Sequence, residues 1–280
     1  MTQSLQIGPL ALPYGLLVTM AAIGLGWFIA GRLARRAGID AEPVLTRMLL
    51  IGLVGARLAF VWQWRGPYCD SPLSIVDIRD GGWDAATGLA AACLYGLYRM
   101  RKLPGLLKPV LAAVLTTGLV WALGSFAITL GAREAVPLPQ LSLASLDGRA
   151  VPLAGFAGKP TVINLWATWC PPCRREMPVL QQAQGANPDL NFVFVNQGEK
   201  ADDIQGFIDR QGLALRNVLV DERLQTGSAL GHRALPTTLF FDARGQLVSS
   251  RIGELSPATL AQRLNELRGA TLPGKSLTSR

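Results

Sequence analysis

The stretch "LWATWCPPCRREMP", residues 165–178, decides the fold of the C-terminal half of this chain. Its two cysteines, Cys170 and Cys173, stand two residues apart behind a hydrophobic run of strand length. A helix that begins here places Cys170 at its N-terminus, where free backbone N–H groups and the helix dipole favour a thiolate. Cys173 then lies three residues on, within reach for a disulfide. We therefore expect Cys170 to attack and Cys173 to resolve.

The sequence around this motif alternates between strand-like and helix-like stretches. Runs of strand length are found at 161–166, 191–196, 217–220, 237–241 and 246–252, and helix-like stretches at about 172–184, 202–211, 223–230 and 256–268. The stretch "LASLDGRAVPL" predicts an additional β-hairpin with Asp147 and Gly148 at its turn. This pattern predicts an α/β domain with a mixed sheet flanked by helices.

Metal binding is the main alternative use of the two thiols. A closed zinc site takes four ligands, and the chain has no second cysteine pair of this spacing. Its one histidine, His232, stands in "ALGHRALP", where we expect a loop or surface residue. A purely structural disulfide closes too small a loop here to stabilise much. We therefore expect redox chemistry, with no metal and no other cofactor.

The segment "VINLWATWCPPCRREMP" resembles the active-site segment of the membrane-anchored, thioredoxin-like thiol:disulfide oxidoreductases of the TlpA and ResA type. The stretches "FVNQGE" and "ALPTTLFFDARGQLV" resemble two further parts of that family, so the similarity covers about residues 136–268. The resemblance implies a thioredoxin fold with Pro236 in the cis form opposite the disulfide.

Further residues near the thiols are candidates for the site. Glu176 lies one helical turn past Cys173, and the resemblance implies that this acid helps to move protons during exchange. The alternative is a solvated glutamate paired with Arg174 or Arg175. We expect Trp166 to pack in the core. The candidates for contact with a client protein are Trp169, Pro171, Pro172 and Leu235.

The first 132 residues have the composition of a membrane domain. No charged side chain occurs from Met1 to Gly31 or from Pro109 to Ala132, and each run exceeds the roughly 20 residues that cross a bilayer as a helix. Two apolar stretches between them, 48–64 and 83–98, each carry one charge, and for these a buried core helix is the alternative. The sequence predicts an all-α membrane domain of about four transmembrane helices over 1–132.

Basic residues in the short loops predict the orientation of these helices. Lys and Arg prefer the cytoplasmic side. The first and third loops hold the basic residues Arg32, Arg35, Arg36, Arg47, Arg99, Arg101, Lys102 and Lys108. Both ends of the membrane domain are then periplasmic, followed by a linker at 133–140, the thioredoxin-like domain at 141–268 and a flexible tail at 269–280. We expect a multi-pass protein of the bacterial inner membrane with its catalytic domain in the periplasm.

The net charge of +8 follows from the same distribution. Up to Ala132 there are 11 basic and 6 acidic residues, so most of the excess lies near the expected cytoplasmic face. We therefore expect the lipid bilayer as a partner and no nucleic acid.

The membrane half is similar to prolipoprotein diacylglyceryl transferase at "IGPLALPYGLL", "GARLAFVWQW" and "SPLSIVDIRDGG". The similarity implies that Arg57 is a membrane-buried arginine that faces a lipid head group, and we expect it to pair with Asp84 or with a lipid phosphate. Where that family has a histidine in its Gly-Gly-x-x-x-His-Gly-Gly motif, this chain has Ala86 in "GGWDAATG". We therefore expect an anchor without transferase activity. The remaining thiols, Cys69 and Cys93, are expected to be incidental.

Together these patterns predict a thiol:disulfide oxidoreductase that reduces disulfides in periplasmic client proteins. The resemblance implies clients such as apocytochrome c or copper-site proteins, and a membrane electron donor of the DsbD or CcdA type that reduces the Cys-Pro-Pro-Cys pair again. Two alternatives stay open. One is a disulfide-forming oxidase, and the other is a copper metallochaperone that uses the two thiols with His232 or Met177.

Overall fold

The computed structural model describes residues 4–7, 10–70, 72–131 and 136–271. The chain divides into two compact units, a helical unit that ends near Arg133 and an α/β unit that begins near Glu134.

The helical unit consists mainly of four long helices. Before these helices in the chain come two short paired strands, β1 (Ser4–Ile7) and β2 (Leu10–Pro13), of which Ile7 and Leu10–Ala11 do not cluster with the helical unit. The four long helices are α1 (Tyr14–Arg36), α2 (Glu42–Gln63), α4 (Ala85–Lys102) and α5 (Leu107–Gly131), and the short helix α3 (Arg65–Asp70) follows α2. Short 3₁₀ turns lie at Pro72–Ile75, Ile78–Asp80 and Pro104–Leu106.

Small residues bring these helices close together in pairs, α1 against α5 and α2 against α4. Gly26 of α1 faces Thr117 of α5 so closely that a β-carbon at Gly26 would overlap with the Thr117 hydroxyl. Gly88 of α4 approaches Gly52 of α2 in the same way. Such close contacts between small residues are typical of helices that pack within a membrane.

Three described helices are long and apolar enough to cross a membrane: Tyr14–Arg36, Glu42–Gln63 and Pro104–Leu130. The first begins at Tyr14, directly after Pro13, rather than at the chain start. The third expected span coincides with α4, which forms a helix but is not among these three. Its role as a span therefore stays a prediction.

The α/β unit alternates strands and helices along the chain. The strands are β3 (Ser142–Ser145), β4 (Ala150–Pro152), β5 (Thr161–Trp166), β6 (Asn191–Gln197), β7 (Val218–Asp221), β8 (Thr237–Phe241) and β9 (Leu247–Ile252). The helices are α6 (Pro171–Ala186), α7 (Ala201–Gln211), α8 (Gln225–Ala229) and α9 (Pro257–Thr271).

The seven strands form one mixed sheet in the order β4-β3-β7-β6-β5-β8-β9. β5, β6 and β7 are parallel, and the other pairs are antiparallel. The predicted mixed sheet flanked by helices is confirmed. The hairpin β3–β4 turns at Gly148, whose φ of 80° suits glycine.

Hydrophobic side chains alternate between the two faces of this sheet. One face, with Trp166 and Phe194, packs against helices α6, α7 and α9. The other face, with Ile163 and Leu239, is covered by apolar residues that include Leu138. β5 is buried on both faces, so the loop after it starts from the centre of the domain.

The ends of the α/β unit differ in detail from the sequence-based boundaries. Within the expected linker 133–140, residues 136–140 pack on the domain, because Pro137 forms a β-bridge with Gln246 and Leu138 is buried. Helix α9 continues to Thr271, and residues 272–280 of the expected tail lie outside the described residues.

Candidate functional site

The two cysteines of the opening motif form a disulfide at the start of α6. Their Cα atoms lie 5.3 Å apart. Cys170 is the N-cap of the helix, and its Sγ accepts a hydrogen bond of 3.3 Å from the backbone N–H of Cys173. Cys173 is fully buried, whereas Cys170 is 3% exposed. The helix N-terminus therefore points at the sulfur that lies nearer to the surface, where it would stabilise a thiolate.

Pro236 lies at the same end of the sheet as this disulfide. The peptide bond between Leu235 and Pro236 is cis, and β8 begins at the next residue. Thr237 pairs with Leu165 of the neighbouring strand β5, so Pro236 lies beside the end of β5 that leads to Cys170. Leu235 is half-buried and Pro236 is buried.

Glu176 is fully buried, and its carboxylate is held by two neutral donors. The Asn164 side-chain amide donates to Oε1 at 2.8 Å, and the Leu255 backbone N–H donates to Oε2 at 3.0 Å. Burial raises the pKa of the Glu176 carboxyl from 4.5 to about 7, because desolvation outweighs these two hydrogen bonds. A carboxyl of this pKa can accept or release a proton near neutral pH.

The alternative of a solvated Glu176 paired with a neighbouring arginine is wrong. Arg175 instead pairs with Glu254 at 2.6 Å, and the Arg174 guanidinium lies 5.7 Å from the ring centroid of Phe207. Both arginines therefore point away from the buried carboxylate.

Glu199 is a polar residue of the site that the sequence-based reasoning did not single out. Its carboxylate accepts hydrogen bonds of 2.7 Å from the Thr168 backbone N–H and from the Asn196 side-chain amide, and a further bond from the Thr168 hydroxyl. Thr168 lies in the loop that joins β5 to Cys170, so Glu199 holds that loop in place. The signal was present in "FVNQGE", because this stretch ends the parallel strand next to β5.

The two tryptophans near the thiols occupy different environments. Trp166 is fully buried and packs on Phe207, with ring centroids 5.6 Å apart, so its predicted place in the core is confirmed. Trp169 is 67% exposed beside the disulfide. Pro171 is exposed and Pro172 half-buried. Trp169 and Pro171 thus present an accessible apolar surface next to Cys170.

His232 lies in a loop, as expected, but it is buried rather than on the surface. It follows α8, is only 5% exposed, and burial lowers the pKa of its imidazole. Met177, the other soft ligand considered, is fully buried in the core. Across the described residues there is no group of three or more His, Cys, Asp or Glu side chains that could hold a metal ion.

The membrane half contains a second buried polar cluster, centred on Arg57. Its guanidinium pairs with Asp80 at 2.9 Å, and both side chains are at least nine-tenths buried. Tyr68 donates a hydrogen bond of 2.8 Å to the same carboxylate. The expected pairing of Arg57 with Asp84 is wrong, because Asp84 caps α4 by accepting from the Thr87 backbone N–H.

The three other predicted positions of this half lie on helices. Ala86 stands in the first turn of α4, Cys93 is exposed on α4, and Cys69 is exposed on α3. Neither cysteine is in a disulfide.

The sheet, the Cys-Pro-Pro-Cys disulfide at a helix N-terminus and the neighbouring cis-proline define the C-terminal unit as a thioredoxin-like thiol-disulfide oxidoreductase. The sequence model of the Redoxin family matches residues 133–265, and that of prolipoprotein diacylglyceryl transferase matches residues 3–131.

The chain is also similar to individual proteins. The thiol-disulfide oxidoreductase ResA of Geobacillus thermodenitrificans is 32% identical over 136 residues, which cover 46% of this chain and 75% of that protein. The ResA of Halalkalibacterium halodurans is 34% identical over 116 residues, which cover 41% of this chain and just under two thirds, 65%, of that protein. A solved structure of a thiol:disulfide interchange protein from Chlorobium tepidum TLS has 26% identity and a TM-score of 0.43, covering 48% of this chain and 97% of that one.

The chain therefore belongs to the ResA-like thiol-disulfide oxidoreductases, and its N-terminal half is similar to prolipoprotein diacylglyceryl transferase.

Proposed function

We propose that this protein is anchored in the bacterial inner membrane and reduces disulfides of client proteins in the periplasm. The observation that carries the proposal is a disulfide at a helix N-terminus with a buried carboxyl, Glu176, one turn behind Cys173 and with a pKa of about 7. This arrangement supplies both a stabilised thiolate and a group that exchanges protons at neutral pH.

The first step of the proposed reaction takes place at Cys170. Its thiolate attacks one sulfur of the client disulfide, the client S–S bond breaks, and a mixed disulfide forms while the second client sulfur leaves as a thiolate. Trp169, Pro171, Pro172 and Leu235 are proposed to contact the client. Pro236 is proposed to shape the same surface, because it lies beside the end of β5 that leads to Cys170.

The second step takes place at Cys173. Ionised Glu176 takes the proton of the Cys173 thiol, and the resulting thiolate attacks Cys170 Sγ and displaces the client as a second thiolate. Two electrons pass from the dithiol to the client, and the protein is left with the Cys170–Cys173 disulfide. A membrane electron donor of the DsbD or CcdA type is proposed to reduce this disulfide again. Apocytochrome c and copper-site proteins are the proposed clients.

The membrane half is proposed to act as the anchor. It consists of about four spans over residues 1–132, with both ends in the periplasm because the basic loops prefer the cytoplasm. The absence of the motif histidine at Ala86 argues against transferase chemistry in this half.

The reduction potential of the Cys170–Cys173 pair tests the direction of electron flow. It is measured in full-length protein with Cys69→Ser and Cys93→Ser, equilibrated against dithiothreitol or glutathione buffers, and Cys170→Ser gives the signal without the pair. A value near that of thioredoxin, about −270 mV, supports the reductase. A value near −120 mV, that of a strong oxidant, would make the protein a disulfide-forming oxidase.

A further inference from the structure

The loop between α3 and α4 exposes an unusual set of side chains. We call residues 72–82 the outer segment. Within six of its positions, Leu73 is 87% exposed, Val76 is 79% exposed and Ile78 is 61% exposed. Single exposed apolar residues are common on soluble proteins, but three in so short a stretch mark a surface that contacts something apolar.

The backbone of the outer segment is turned the other way, toward Arg57. Arg57 Nε donates to the Ile75 carbonyl at 2.9 Å, and Nη2 donates to the carbonyls of Ser74 and Asp77 at 3.0 Å each. Nη1 donates to the Gly82 carbonyl at 2.9 Å. One buried guanidinium thus binds four backbone carbonyls of the loop.

The charges of this arrangement are compensated within the protein. Asp80 pairs with Arg57, and it also accepts from the Tyr68 hydroxyl and from the Gly82 backbone N–H. The buried cation therefore carries no uncompensated charge.

A loop in water obtains partners for its carbonyls from solvent at no cost. Non-helical backbone at membrane depth must obtain them from the protein, because an unsatisfied polar group there costs several kcal/mol. A loop at membrane depth needs protein partners for its carbonyls and apolar side chains that face the lipid. The outer segment has both.

The outer segment is connected directly to the end of a candidate membrane span. Helix α2 is one of the three described helices that are long and apolar enough to span. It ends at Gln63, nine positions before the segment begins, and α4 starts at Ala85. Trp62 at the end of α2 is 73% exposed, and the Arg65 guanidinium lies 5.5 Å from its ring centroid. Tryptophan and arginine at this place are typical of a membrane–water interface.

We propose that the outer segment lies in the outer edge of the bilayer, with Leu73, Val76 and Ile78 inserted among the lipid acyl chains. The occupant of this surface is lipid, and Arg57 is the residue that fixes the segment for it. This inference rests on the proposed membrane anchoring, and it assigns to Arg57 a role within the protein rather than contact with a lipid head group.

Depth-dependent fluorescence quenching of full-length protein tests the proposal. A fluorophore that responds to polarity is attached at Leu73→Cys or Val76→Cys, with Cys69→Ser and Cys93→Ser and with Cys170 and Cys173 kept oxidised. The protein is placed in phosphatidylcholine–phosphatidylglycerol vesicles that contain lipids with a nitroxide high or low on the acyl chain. Leu119→Cys on α5, which is 60% exposed, is the control within the bilayer, and Lys159→Cys in an exposed turn is the control in water.

We expect labels at 73 and 76 to lose most of their emission to the shallow nitroxide, the label at 119 to the deep one, and the label at 159 to neither. If the labels at 73 and 76 behave like the label at 159, the proposal is overturned. Quenching of the label at 119 in the same experiment would still support the membrane anchoring. Blue-shifted emission at 73 and 76 without quenching by lipid would overturn it in favour of a protein partner. Loss of quenching at 119 would overturn the membrane anchoring itself.

Discussion

Arg57 and Glu176 are both buried ionisable residues, one in each half of the molecule, yet their surroundings differ in kind. All three nitrogens of Arg57 donate hydrogen bonds, and a carboxylate neutralises its charge. Glu176 is held by a neutral amide and a backbone N–H, and its pKa rises to about 7. Burial alone therefore does not tell a structural charge from a chemical one. The partners differ: Arg57 is held in an ion pair with Asp80, whereas Glu176 has only neutral donors and titrates near neutral pH.

The largest effect is expected when the buried ion pair between Arg57 and Asp80 is broken. Arg57→Ala leaves Asp80 buried without its cation and frees four carbonyls, so we expect the free energy of unfolding of the helical unit to fall by about 3–5 kcal/mol. Unfolding of full-length protein in mixed micelles measures this change. Arg32→Ala, on the exposed surface of α1, is the matched control. A loss below about 1 kcal/mol, the range of exposed pairs, would contradict the structural role of Arg57.

The next effect depends on pH and concerns Glu176. Its carboxyl titrates near 7 in the folded domain and near 4.5 when unfolded, so the folded state holds its proton to higher pH. The stability that this provides is complete below pH 4.5 and is lost as the pH rises toward 7, by about 3 kcal/mol in total. Glu176→Gln should remove this loss.

Chemical unfolding of the oxidised protein between pH 4 and pH 8 measures the difference. Glu222→Gln, at an exposed position, should follow the wild-type curve. Parallel curves for wild type and Glu176→Gln would show that the carboxyl titrates at an ordinary pKa and would remove the main support for its proton transfer.

Asn164 tests whether hydrogen bonds limit the pKa of Glu176. Its amide donates to the ionised carboxylate, so Asn164→Ala should raise the pKa of Glu176 by about one to two units. The carboxyl carbon signal of Glu176 in a pH titration by NMR reports this value. Thr238→Val removes only the second partner of the amide and should shift the pKa less. An unchanged or lowered pKa in Asn164→Ala would contradict the role of this bond.

The smallest effect is expected at an exposed pair. Arg175 and Glu254 lie 2.6 Å apart, with side-chain exposures of 49% and 27%. Solvent screens such a pair, so Arg175→Ala should change the free energy of unfolding by about 0–1 kcal/mol. Urea unfolding at two salt concentrations measures it. A loss as large as that of Arg57→Ala would show that hydrogen-bond geometry, rather than burial, sets the strength of these pairs.

Much of the α/β fold could be predicted from local sequence. The strand over Thr161–Trp166 follows from an apolar run that ends before the cysteines, and the turn at Gly148 follows from an Asp-Gly pair. Both signals lie within a few neighbouring residues. The disulfide between Cys170 and Cys173 has the same local character, because one helical turn joins the two residues.

The polar partners could not be predicted in this way. Arg57 meets Asp80 rather than Asp84, and Glu199 meets Thr168, because loops that are distant along the chain fold over these groups. The burial of His232 has the same origin. A polar residue in a loop gives no sign of whether the loop lies over the core or beneath another segment.

The hairpin β3–β4 affects how readily another protein chain can pair with the edge of the sheet. It covers the side of β7 that would otherwise be open, and it moves the sheet edge to β4, a strand of three residues that ends at Pro152. Short edges that carry proline offer few free backbone groups for another strand. The β4 edge of the sheet therefore gives an unfolded segment of another chain little to pair with.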